Sequence, residues 1–134
     1  PLGPLARVAS GGELSRIARA LQVVTSEDGN VETLVFDEVD SGIGGAVAAT
    51  VGELLQALGA RRQVLCVTHL PQVAAHADHH VRVSKSGAGD AATSDLARLS
   101  AAERVEELAR MLGGKTVTKK TQEHAREMLE SAAL

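Results

Sequence analysis

Thr33-Leu34-Val35-Phe36-Asp37-Glu38 is a short, continuous apolar run that ends abruptly in two adjacent carboxylates. A run that is apolar on both faces is the pattern of a strand inside a covered parallel sheet. Downstream, Gln63-Val64-Leu65-Cys66-Val67-Thr68 repeats the pattern and closes on His69. Between the two, Gly42 to Gly45 loosens the backbone. Ala46 to Leu58 is then helical by spacing, with Val47, Val51, Leu54, Leu55 and Leu58 along one stripe and Gly59 placed to stop it. Strand, helix and strand of these lengths predict a βαβ unit with parallel strands and a right-handed crossover. Asp37, Glu38 and His69 then leave the sheet at its carboxyl edge, where open α/β sheets hold their ligands.

Working outward, residues 13 to 24 read as an amphipathic helix through Leu14, Ile17, Ala18, Leu21 and Val24, and Glu27 to Asn30 is a turn-rich break. On the other side, Pro71 to Ala77 predicts a short helix and His80 to Ser84 a third strand. Ser86 to Asp90 is a turn from which Thr93 to Leu99 pairs back as a hairpin. Ser100 with Glu103 is a capping-box pattern opening a helix that runs to Leu112 and stops at Gly113-Gly114. A last helix, about Thr118 to Ala132, carries Ala125, Met128, Leu129 and Ala132 on one side. The fold class is α/β: a mostly parallel sheet with flanking helices and a late β-hairpin. There is no internal repeat, and no heptad array is long enough for a coiled coil.

Composition sets the outer limits. The chain has 134 residues, 44% of them hydrophobic, and the aromatic set is one Phe without Trp or Tyr. A core of Ala, Val, Leu and Ile follows, with no stacking platform for exposed bases. The net charge of -3 argues against a dedicated nucleic-acid binder. The small basic groups at Arg61-Arg62 and at Lys115, Lys119 and Lys120 read as solvated surface. A single Cys excludes an intrachain disulfide, no apolar stretch is long enough for a bilayer, and Pro1 to Leu5 is not a secretory lead. A cytoplasmic, single-domain protein is the expectation.

Three segments carry chemistry. Ser10-Gly11-Gly12-Glu13 opens a helix. An N-cap and capping box account for Ser10 and Glu13 but not for the glycines, which cost about 1 kcal/mol each in a helix. Bare backbone amides at a positive helix end approach an anion closely, so the segment suggests a phosphate contact. Asp37 is suited to Mg²⁺, and Glu38 to orienting or deprotonating a water that attacks a phosphate. The plainer alternative is that the pair caps a turn in solvent. His69 can donate to a phosphate oxygen or to that water, although a lone histidine is more often structural.

In order, these segments resemble the signature motif, the Walker B strand with its catalytic Glu, and the switch histidine of ABC-type ATPases. The stretches Val8-Ala9-Ser10-Gly11-Gly12-Glu13-Leu14-Ser15-Arg16, Phe36-Asp37-Glu38-Val39-Asp40-Ser41-Gly42-Ile43 and Thr68-His69-Leu70-Pro71-Gln72-Val73-Ala74-Ala75-His76-Ala77-Asp78 are specifically similar to the RecN family of bacterial SMC-like DNA repair ATPases. The resemblance implies the C-terminal lobe of an ATPase head that uses ATP and Mg²⁺. Within it, residues 1–9 are a lead from a coiled coil, 10–85 the core with the motifs, and 86–134 the hairpin and terminal helices. Asp37 would serve Mg²⁺, Glu38 would polarise the water, and His69 would sense the γ-phosphate. Ser10, Gly11, Gly12 and Glu13 would contact ATP held by a second head in a homodimer. Asp40, Ser41 and Gly42 would form the loop crossing that interface. Gly44 follows Ile43 where cassettes commonly have Asp, which leaves communication between heads open.

Hydrolysis also needs a loop of the form G-x-x-x-x-G-K-[ST] after a strand. Gly114-Lys115-Thr116 fails this, because Ala109 stands where the first Gly belongs and the preceding residues are helical by spacing. By resemblance the loop lies in an N-terminal lobe of the same protein, so the chain alone is expected to be inactive. A half-domain of this kind should leave apolar surface uncovered. DNA would be met through the full assembly, at the nucleoid during repair, and weakly or not at all by this chain. Three alternatives stand beside this reading. One is the head lobe of another SMC-type ATPase, and one a non-enzymatic interaction module. The third is a metal phosphohydrolase drawing on His76, His79 and His80 with Asp37, Glu38 and His69.

Overall fold

The computed structural model describes residues 31–37, 42–87 and 92–134. The helix read at 13 to 24, the Ser-Gly-Gly-Glu segment, Glu38 to Ser41 and most of the turn before Thr93 lie outside the described residues. The chain divides into two compact units, 1–76 and 77–134.

In the first unit, β1 (Thr33–Asp37) pairs in parallel with β2 (Gln63–Val67), from Thr33 opposite Gln63 to Asp37 opposite Val67. The helix α1 (Gly45–Gly59) connects them, and a single turn, α2 (Pro71–Ala74), follows β2. One face of the strand pair is closed. Ala48, Val51 and Leu55 of α1 form a buried cluster with Val73 of α2, and Phe36, Ile43, Val64, Cys66 and Leu70 pack against it. Burying a side chain such as Val51 stabilises by roughly 1.5–3 kcal/mol. The other face is open: Val35, Leu65 and Val67 are 67%, 52% and 61% exposed. The apolar runs thus predict the strands correctly, while the described residues supply only half of the cover they call for.

The start of α1 uses backbone freedom rather than a capping side chain. Gly45 sits at φ 54 and Gly42 at φ 79, left-handed values that an L side chain rarely adopts. The N-cap Gly44 makes no side-chain cap bond. At the far end Gly59 remains helical and Ala60 closes the helix in the right-handed region. The amides of Arg61 and Arg62 both donate to the Leu58 carbonyl, at 3.1 and 3.2 Å. The stop therefore does not use a left-handed glycine.

In the second unit, β3 (Val81–Ser86) and β4 (Thr93–Arg98) form an antiparallel hairpin from Val81 opposite Arg98 to Ser86 opposite Thr93. The hairpin is a sheet of its own among the described residues. Two helices follow, α3 (Ala101–Gly113) and α4 (Lys119–Ala132). The expected capping box is made at α3: Ser100 Oγ accepts from the Glu103 amide at 3.3 Å and Glu103 Oε2 accepts from the Ser100 amide at 2.7 Å. At α4 the same reciprocal pair is built from Thr118 and Thr121. Gly114 ends α3 at φ 61, its amide donating to the Arg110 carbonyl at 2.8 Å. Leu108 and Ala109 of α3 and Ala125 and Ala132 of α4 are buried, and the three alanines keep the side chains between the helices short. No helix of the described residues is long and apolar enough to cross a membrane.

Candidate active-site edge

Parallel pairing brings both strand ends to one edge. Asp37, the last residue of β1, lies opposite Val67, the last of β2, and His69 follows two residues later. Asp37 and His69 are both exposed. Asp37 shares the open face of the pair, since its register partner Val67 and the adjacent Val35 are on that face. The edge thus presents a carboxylate and an imidazole beside uncovered apolar surface. Asp37 offers hard oxygen donors of the kind Mg²⁺ takes.

The segment carrying His69 is fastened on both sides. Before it, Thr68 Oγ1 accepts from the Leu70 amide at 3.0 Å, tightening the turn around His69. After it, Leu70 is the extended N-cap of α2, and Pro71 occupies the first helical turn, where its fixed φ fits and its missing N–H is not needed. Pro71, Val73, Ala74 and Ala75 are all buried. Beyond α2, His76 Nδ1 lies 3.1 Å from Gln56 Oε1 on α1. On the loop after β1, Gly42 is exposed in a left-handed turn, while Ile43 packs on the core.

Of the residues picked out by sequence, the structure therefore brings Asp37, His69 and Gly42 to describable positions. Ser10, Gly11, Gly12, Glu13, Glu38, Asp40 and Ser41 are outside the described residues. His76, His79 and His80 have surroundings of their own. His76 contacts Gln56, and His79 Nδ1 accepts from Arg98 Nη2 at 2.8 Å. His80 is half-buried and its Nδ1 has no hydrogen-bond partner. Among the described residues no group of three His, Cys, Asp or Glu side chains is arranged to hold a metal. Gly114-Lys115-Thr116 is the stop of α3 and the turn into α4, with the Thr116 amide donating to the Gly113 carbonyl at 3.4 Å.

Sequence reading missed two features. Gly52, in the middle of α1, is buried against His76. The glycine inside an otherwise helical stripe was the available signal, because it costs about 1 kcal/mol against Ala and so points to a packing reason. The second is the ionic cluster of the second unit. Glu107 is 6% exposed and takes a two-pronged contact from Arg110, at 2.9 and 2.5 Å. The Arg110 hydrogen bonds hold the Glu107 carboxyl below its usual range, against the opposing effect of burial. Burial lowers the His80 imidazole, with repulsion from Arg104 adding to it. Arg104 itself donates from Nη2 to the Ala77 carbonyl at 2.6 Å.

No protein-family model matches the chain. Individual relatives do. The chain is 53% identical over 127 residues to the DNA repair protein RecN of Haemophilus influenzae, covering 95% of this chain and 23% of that protein. It is 49% identical over 133 residues to the RecN of Treponema pallidum, covering 99% and 23%. Against the RecN of Bacillus subtilis it is 44% identical over 132 residues, covering 98% and 23%. The chain therefore spans about a quarter of the length of the curated relatives it matches. Among solved structures it is similar to a chain from work on ATP-driven dimerization and DNA-stimulated activation of SMC ATPases. That likeness has a TM-score of 0.62 at 21% identity, over 83% of this chain and 66% of that one, and it bears on the fold. Identity of this size across nearly every residue, joined to that fold, places the chain in the RecN family, where it corresponds to the C-terminal part.

Proposed function

We propose that the chain is the C-terminal lobe of the ATP-hydrolysing head of a RecN-type DNA repair ATPase, incomplete as a catalyst without its N-terminal lobe and a second head. The observation that carries this reading is the shared edge: Asp37 and His69 leave adjacent parallel strands at the same end. In the proposed site the Asp37 carboxylate would hold Mg²⁺, which would supply charge neutralisation at the transferred phosphoryl group. Glu38 follows Asp37 directly in sequence and takes the attacking water's proton or orients that water. His69 donates to a γ-phosphate oxygen. Ser10, Gly11, Gly12 and Glu13 offer backbone amides and a helix start to ATP on the opposing head. Asp40, Ser41 and Gly42 form the crossing loop, and the left-handed Gly42 lets it turn sharply before Ile43 anchors in the core. The open face bearing Val35, Leu65 and Val67 suits a chain that is completed by another part of its protein. The phosphate-cradling loop belongs to that part, and DNA is engaged by the assembled protein, in the cytoplasm.

Glu38→Gln in the complete protein is the test. Binding contacts survive this change while activation of the water does not, so the variant should lose turnover by roughly 100-fold or more. It should also accumulate as an ATP-bound head dimer by size-exclusion chromatography with light scattering. A variant that hydrolyses ATP normally, or dimerises no better than wild type, overturns the reading.

A further inference from the structure

Gly52 lies where α1 meets the segment following His69. A Cβ placed on Gly52 would fall 2.5 Å from Cδ2 of the His76 ring, 3.0 Å from its Cγ and 3.0 Å from the Gln72 carbonyl oxygen. Real carbons do not approach so closely, so any side chain at this position must move something. The Gln72 oxygen is backbone within α2 and cannot swing aside alone. The ring can turn away only by giving up its contact with Gln56, 3.1 Å from Nδ1. The Gln56 amide oxygen is an acceptor, so Nδ1–H donates. Gly52 and Gln56 are one turn apart on α1, so the bare backbone and the amide meet the same imidazole.

We propose that Gly52, Gln56 and His76 position His69, fixing how far α2 stands from α1 and thereby where the loop before α2 presents its imidazole. The connection is short and stiff. Leu70 caps α2, Pro71 begins it, and Thr68 Oγ1 ties the loop back through the Leu70 amide. Val73 sits in the core cluster against Ala48, Val51 and Leu55, so α2 moves as a packed unit. His69 stands two residues before Pro71, so a shift forced at Gly52 reaches it through α2 and this short connection. None of the three residues touches the reacting groups; they act through His69. The inference rests on the ATPase reading above.

Steady-state ATP hydrolysis by the complete protein tests it, with Glu38→Gln as the control and thermal melting to follow folding. Misplacing a catalytic group by about an ångström costs up to roughly 100-fold in rate, so Gly52→Ala should lower kcat by about 10- to 100-fold and leave KM for ATP within about threefold. Gln56→Leu should lower kcat by about 3- to 10-fold at an unchanged KM, and Gln56→Glu, which keeps an acceptor for His76, should restore most of it. Should Gly52→Ala fail to fold, the Gln56 pair decides alone. Wild-type kcat in a folded Gln56→Leu, a loss confined to KM, or no recovery in Gln56→Glu overturns the positioning role while Glu38→Gln remains inactive. Full turnover in Glu38→Gln instead removes the ATPase reading beneath it.

Discussion

The two units solve the same local problem in opposite ways. In residues 77–134, both helices open on closed capping boxes, Ser100 with Glu103 and Thr118 with Thr121. In residues 31–76, α1 opens on Gly44-Gly45 and α2 on Leu70, and neither has a side-chain cap bond. The first arrangement satisfies helix ends locally, typically stabilising by about 1 kcal/mol at each cap. The second leaves helix starts and one sheet face for something else to complete. Local self-sufficiency is thus greater in the unit that lacks the Asp37–His69 edge than in the unit that carries it, as expected where function rather than stability selects the residues.

The largest expected effect falls on the self-sufficient unit. Leu108 is fully buried between its neighbours, and Leu108→Ala should cost about 2–5 kcal/mol. Val35→Thr on the open strand face should stay within about 0.5 kcal/mol. Urea unfolding of the chain measures both. Equal losses would mean that the open face is covered in solution, and the contrast between units would break.

Next comes acid sensitivity, which the contrast assigns to the second unit. His80 has its folded pKa lowered below 6.5 by burial and by Arg104, so the unfolded chain binds the proton more readily. The stability it contributes is fully present above pH 6.5 and is lost as pH falls toward the folded value. Glu107 is lowered below 4.5 by Arg110, so its contribution is present above pH 4.5 and fades as pH falls through the folded value. Unfolding midpoints should therefore be level above pH 6.5 and decline in two stages below it. His80→Asn should flatten the first stage and leave the second. A decline unchanged by His80→Asn contradicts this assignment.

The smallest effects sharpen the comparison at single helix starts. Ser100→Ala removes a cap that is made, and should cost about 1 kcal/mol. At Gly44 the backbone is extended, at φ -156, and a Cβ would meet nothing within 4 Å. Gly44→Ala should cost only a few tenths of a kcal/mol, because the poorer cap is offset by the lower entropy of the unfolded chain at a backbone conformation Ala adopts freely. Denaturation curves showing the reverse order would remove the distinction between capped and uncapped units.

Much of this was legible in the residues because the signals are local. Apolar runs mark β1 and β2 at Thr33 and Gln63, Ser100 with Glu103 marks the start of α3, and Gly113-Gly114 marks its end. Placing Asp37 and His69 at one edge required only that strand, helix and strand be parallel. The rest depended on contacts made across the chain. Leu65 and Val67 read as buried because their strand is apolar on both faces, yet pattern cannot say whether the covering element belongs to the same segment. The short helix was expected to reach Ala77 but ends at Ala74, where His76 turns to meet Gln56. The third strand, expected from His80, begins at Val81 and runs to Ser86, its length set by pairing with β4 rather than by its own residues. His79 with Arg98 and His80 beside Arg104 likewise become visible only once hairpin and helix are assembled.

The central claim is that an incomplete edge becomes a catalyst only when another lobe joins it. Mixing the purified chain with the matching N-terminal lobe, and following phosphate release from ATP, tests this most directly. The account predicts silence from the chain alone and steady turnover from the mixture, abolished when the chain carries Glu38→Gln. Turnover by the chain alone, at a rate the second lobe does not change, would contradict it.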